Sequence, residues 1–156
     1  MIGAVGRKRG SPEAELSDRF LERINAAGPA IGVRETILRE FDEARYREAV
    51  QRRDTEAQNL LTRTGSFDRC VVLDERGRGL TSVAFANQIA EWRDGGTGLC
   101  AFFVGGPDGH GEAVRARADM LLSLSPMTLP HLLARAILCE QLYRAVTILS
   151  GHPYHR

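Results

Sequence analysis

The chain has 156 residues, of which 43% are hydrophobic, 26% charged and 6% aromatic, which is the make-up of one ordinary globular domain with enough chain for a single core. Its 21 basic and 20 acidic side chains leave a formal charge of +1, which excludes a polybasic tail or a basic membrane-surface helix as the main device; a polyanion must be met by a local patch. The 16 glycines gather in Gly95-Gly96, Gly98, Gly105-Gly106 and Gly109-His110-Gly111 instead of repeating, which excludes a collagen-like or low-complexity chain.

Ile2 to Val5 is a short apolar run ending at Gly6. Ser11-Pro12 with Glu13 and Glu15 supplies an N-cap, a proline in the first turn and acids near the positive end of the helix dipole. Leu16, Phe20, Ile24 and Ala27 then predict an amphipathic helix closed by Gly28-Pro29. Ile31 to Phe41 reads as a strand. Glu43 to Leu61 reads as a solvated helix, with Glu48 and Arg52 one turn apart and Val50, Ala57, Leu60 and Leu61 to bury.

Cys70 to Asp74 and Leu99 to Val104 are continuous apolar runs of strand length, the pattern of parallel strands covered on both faces. Between them Thr81 or Ser82 caps a helix with Phe85, Ile89 and Trp92 on one stripe, ended by Gly95-Gly96. A short helix over 112–119, a run from Leu121 to Leu124 and a long helix from Pro130 to about Ser150 complete an alternation that predicts an α/β domain with a mostly parallel sheet. In the last helix Leu132, Ala136, Leu138, Cys139, Leu142, Tyr143, Ala145, Val146 and Leu149 cover half the circumference, with Glu140, Gln141, Arg144 and Thr147 opposite. So wide an arc predicts a subunit partner. Arg135 projects from its middle, either as a buried ion pair at a subunit interface or as an arginine facing a ligand.

Two segments stand where open α/β sheets bind ligands: Val104 to Gly111, leaving one strand, and Leu124 to His131, leaving another and entering a helix. Glycines in the first admit a ligand close to the backbone, and two prolines in the second hold amides and carbonyls in an irregular path that suits the edge of a planar heterocycle. Neither has the spacing of a Walker loop or a dinucleotide fingerprint. The ending Gly151 to Arg156 concentrates Tyr154, two histidines and Arg156. Cys70, Cys100 and Cys139 are far apart and sit in apolar runs, as buried thiols of a reducing compartment do, and no metal-ligand spacing is present. No apolar stretch is long enough to span a membrane, and Arg7 to Arg9 are not followed by a leader-type apolar region, so a soluble cytoplasmic protein is expected.

Four stretches taken in order, Phe102 to Gly109, Leu124 to His131, Glu140 to Ala145 and His152 to Arg156, closely resemble the SPOUT-class methyltransferases that modify N3 of a pseudouridine in large-subunit ribosomal RNA. The likeness is strong from about Cys70 onward and loose over 28–64. It implies an α/β fold, one SPOUT domain over 1–156, with helices on both faces of a mostly parallel sheet and a C-terminal trefoil knot, an exception to the rule against threaded chains. It also implies a homodimer that binds S-adenosylmethionine in the knot. The cofactor pocket would comprise Leu73, Gly105, Gly106, Leu124, Ser125, Pro126, Met127, Thr128, Leu129 and Pro130. Tyr154, His155, Arg156 and Arg135 would act on the base, with the tail of one subunit reaching the other's cofactor. The implied target is 23S rRNA on the assembled ribosome, without metal or membrane. A SPOUT-type tRNA methyltransferase and a non-catalytic S-adenosylmethionine-binding module are the alternatives. The opening is shorter than the family's, so the first strand is expected to lack residues upstream of Met1.

Overall fold

The computed structural model describes residues 1–7 and 10–154, leaving Lys8, Arg9, His155 and Arg156 outside the description. The elements in chain order are β1 (Ile2–Val5), α1 (Pro12–Ala27), a 3-10 turn (Gly28–Ile31), β2 (Leu38–Phe41), α2 (Ala49–Arg63), β3 (Arg69–Gly79), α3 (Ser82–Asp94), β4 (Cys100–Val104), α4 (Glu112–Arg117), β5 (Met120–Ser123) and α5 (His131–Leu149). The five strands form one sheet in the order β2-β1-β4-β3-β5, with every pair parallel.

Side chains alternate across the sheet, and each face has its own helices. Ile2, Ala4, Val71, Phe102 and Val104 pack with Phe20, Leu21 and Ile24 of α1, Phe85 of α3 and Leu138 and Leu142 of α5. Val5, Cys70, Val72, Ala101 and Phe103 pack with Ala57 and Leu60 of α2 and Val114 of α4. Burial on both faces is why β3 and β4 read as unbroken apolar runs.

Ser11 caps α1 by accepting from the Ala14 N–H at 3.2 Å, and Thr81 caps α3 by accepting from the Ala84 N–H at 3.1 Å, as their sequences predict. Leu16, expected on the buried stripe, is exposed, and Ser17 and Leu21 are buried in its place.

Four expectations need correction. The strand foreseen over 31–41 is only Leu38–Phe41, because the chain turns through Gly28–Ile31 and Gly32 at φ +81°. The Asn25 side chain then holds the Thr36 N–H and carbonyl, leaving four residues to match β1. The helix foreseen from Glu43 starts at Ala49, and Arg52 pairs with Asp108 instead of Glu48. β3 runs on to Gly79, with Leu73 and Arg78 both opposite Leu122, so 74–77 bulge out of the ladder. Thr147, expected on the polar side of α5, is buried and donates to the Arg144 carbonyl, since α5 packs against both α1 and α3. That packing uses inside the subunit much of the wide arc that suggested a partner.

Candidate active site

The carboxyl ends of β3, β4 and β5 open into a cavity of about 320 Å³, within the small end of ligand sites. Leu73, Gly105, Gly106, Leu124, Ser125, Met127, Thr128 and Leu129 line it, so three segments separate in sequence meet as expected. Pro126 and Pro130 belong to the third segment without lining the cavity. Larger hollows of about 630 and 460 Å³ lie toward the amino ends of the strands, around Trp92, Arg69 and Met120 and around Met1 and Leu99. In a parallel sheet the carboxyl ends are where ligands bind.

The first wall of the cavity is backbone. A Cβ on Gly105 would stand 2.9 Å from the Gly109 carbonyl carbon, and one on Gly106 would stand 2.9 Å from Val5 Cγ1. The turn is closed by the Gly109 N–H donating to the Gly106 carbonyl at 3.0 Å. In the third segment the Ser125 hydroxyl accepts from the Met127 N–H at 2.9 Å and the Ser123 hydroxyl donates to the Ser125 carbonyl at 3.0 Å. Amides and carbonyls are thus held at fixed angles without side-chain crowding, which suits a flat heterocycle.

Charged and polar groups around this wall went unforeseen. The β3 bulge brings Asp74 to the cavity, where Arg115 Nε lies 2.6 Å from its Oδ2. Burial opposes the charge on Asp74, but the hydrogen bonds from Arg115 and from the Arg76 N–H outweigh it and hold the carboxyl below its ordinary range. Arg52 forks onto both oxygens of Asp108, at 2.6 and 3.0 Å, tying α2 to the glycine loop and keeping Asp108 ionised. Beneath it Glu56 is buried, its carboxyl pushed up chiefly by burial. Oε1 accepts from the Ala44 N–H at 2.9 Å, and Oε2 is buried with no hydrogen-bond partner. The sequence signal for Asp74 was its place directly after Leu73. Arg52 and Glu56 left none, because their partners are distant in the chain.

His110, inside the glycine loop, is also buried and lines the cavity, hydrogen-bonded to the Phe103 backbone and with Nε2 unpartnered. Burial lowers its pKa from 6.5 to about 4. Between those values the unfolded chain takes up a proton that the folded chain refuses, so stability is full near neutrality and falls as the pH drops through this window. The expected loss is about 3 kcal/mol. Denaturant midpoints followed from neutral to acid pH should show this limb, and His110→Leu should flatten it; an unchanged limb in the variant contradicts the assignment.

Arg135 is buried within the subunit. Its Nη1 sits 2.7 Å from Glu40 Oε1 of β2, while Nε and Nη2 have no hydrogen-bond partner. It does not line the cavity, although His131 and Ala134 on the same helix do. Tyr154 lies against its own α5, its ring 4.8 Å from that of Tyr143 and beside Arg144. From His131 to Arg144 the helix rises about 20 Å, so Tyr154 sits well away from the subunit's own cavity. His155 and Arg156 lie outside the described residues. No helix among the described residues is long and apolar enough to cross a membrane, and no group of three or more metal-type ligands occurs among them.

The family described as "Predicted SPOUT methyltransferase" matches residues 1–155. The ribosomal RNA large subunit methyltransferase H of Chelativorans sp. is 46% identical over 156 residues, 100% of this chain and 90% of that protein. Its namesake from Brucella anthropi is 45% identical over 155 residues, 99% of this chain and 97% of the relative. That from Paramagnetospirillum magneticum is 44% identical over 156 residues, 100% and 97% of the two chains. With a family match over residues 1–155 and relatives that match the length of the chain, the protein belongs to the SPOUT methyltransferase family.

Proposed function

We propose that residues 1–156 form one SPOUT domain that transfers a methyl group from S-adenosylmethionine to N3 of a pseudouridine in 23S rRNA of the assembled ribosome, working as a cytoplasmic homodimer. The observation that carries this reading is the backbone-walled cavity, where the three segments converge, together with the named activity of the relatives. Threading of the segment after β4 into a trefoil knot would explain why the walls are main chain.

The residues present fit the donor. The turns at 105–106 and 124–129 offer main-chain groups to an adenine edge, and His110 Nε2 is a buried acceptor still without a partner. When bound, S-adenosylmethionine supplies an electrophilic methyl carbon on sulfur. The chain's part is then positioning and proton transfer. In this reading Tyr154 packs on the target base, His155 takes the N3 proton, and Arg156 offsets the negative charge that develops. Arg135, buried against Glu40 and absent from the cavity lining, anchors the helix that carries His131 and Ala134 to the cleft instead of touching the base. The dimer is supported by reach: Tyr154, held near Glu140 and Arg144 of its own α5, lies away from its own cleft, as a residue that serves a neighbour's would.

A net charge of +1 gives little general hold on free RNA. Labelled methyl transfer should therefore be strong on ribosomal particles and slow or absent on the same 23S rRNA stripped of its proteins. Preferential labelling of tRNA, or donor binding with no transfer to ribosomes, would overturn the reading.

A further inference from the structure

Between β2 and α2 the chain makes an irregular loop, 42–48, whose backbone is held by side chains of α2. Arg52 Nη1 donates to the carbonyls of Tyr46 and Arg47 at 2.7 and 2.8 Å, while its other two nitrogens grip Asp108 in the glycine loop of the cleft. Glu56 Oε1 holds the Ala44 N–H. One guanidinium thus fastens this loop directly to the cavity wall.

The side chains it presents point to a partner. Tyr46 is 50% exposed, a large ring presented on a backbone that Arg52 holds. Arg45 and Arg47 flank it and are also exposed. The loop's three acids have cations nearby: Asp42 lies 3.3 Å from Arg7, Glu43 lies 3.6 Å from His131, and the charge of Glu48 acts on Arg52. Arg53, on the next turn, faces the cavity itself. An aromatic face between two cations suits unpaired nucleotides, with a base on the ring and phosphates on the guanidinium groups. The two flanking cations, with Arg53 at the cleft, favour a polyanion over a protein surface.

We propose that the 42–48 loop is a single-stranded RNA platform at the rim of the cleft, where Tyr46 stacks on a base next to the one methylated and Arg45 and Arg47 hold the adjoining phosphates. This rests on the rRNA methyltransferase reading and names the element that places the substrate. Because Arg52 joins the loop to Asp108, the platform keeps a fixed distance from the donor site.

Steady-state kinetics on ribosomal particles, with calorimetric binding of S-adenosylmethionine in parallel, tests it. Tyr46→Ala should raise KM about tenfold, with kcat and donor affinity little altered, and Tyr46→Phe should recover most of the loss. Arg45→Gln with Arg47→Gln should lower the slope of log kcat/KM against log salt by about two, one per phosphate contact. Unchanged KM and slope in these variants, with the parent enzyme active, would overturn the platform alone. A parent protein that binds donor yet methylates no ribosomal particle would overturn the function and the platform with it.

Discussion

A protein lacking Tyr154, His155 and Arg156 should lose at least roughly 100-fold in turnover, the scale of a missing proton acceptor, and little else. In the folded subunit Tyr154 makes an edge contact with Tyr143, faces Arg144 and places its hydroxyl 3.4 Å from Glu140. Contacts of this kind contribute about 1 kcal/mol, so the melting temperature should fall by only about 2–4 °C. Donor affinity should hold. The proposed shared site adds a stricter outcome: the truncated protein, with its cleft intact, mixed with a cleft variant whose tail is intact, should recover activity as mixed dimers form. No recovery on mixing would contradict a site shared between subunits, and full turnover by the truncated protein alone would remove the tail from the mechanism.

The cleft variant is Gly105→Ala. The added Cβ would stand 2.9 Å from the Gly109 carbonyl carbon and 3.1 Å from its oxygen, and neither is the end of a flexible side chain. The turn cannot open without straining the Gly109 to Gly106 hydrogen bond at its throat and the Arg52–Asp108 pair beside it. Overpacking of this sort costs about 1–3 kcal/mol, and where the strain is relieved by moving the donor's wall it appears as a loss of affinity of about 10- to 100-fold. Calorimetric titration of S-adenosylmethionine measures it. Parent-like affinity would show that the loop does not touch the donor.

Those two predictions use parts of the molecule that the sequence revealed, and the reason is physical. Gly105-Gly106 and the Pro126 to Pro130 segment mark backbone paths that few residue types permit, so composition alone points to them. The strands of the central sheet were legible because burial on both faces demands unbroken apolar runs, as Cys70 to Leu73 and Cys100 to Val104 show. The bulge after Leu73 was not, since Asp74 to Gly77 reads as the end of a strand. Gly77 gives it away only in three dimensions, where a Cβ would meet the Leu121 and Leu122 backbone at under 3 Å.

Charge was the harder problem. The segment around α2 looked like a solvated face, yet Glu56 is buried in it and Arg52 reaches Asp108, 56 residues away. Arg135 was correctly singled out as an expensive charge on an apolar arc, but Glu40, on an edge strand shorter than foreseen, could not be named as its partner. Local periodicity records which residues are buried and says little about which distant charge meets them.

The most direct test is mass mapping of large-subunit RNA after ribosomal particles from cells lacking such an activity are incubated with the protein and S-adenosylmethionine. The account predicts one added methyl group, on N3 of a single pseudouridine, and none when the donor is withheld. A methyl group on another base, or large-subunit RNA left unmodified, would contradict it.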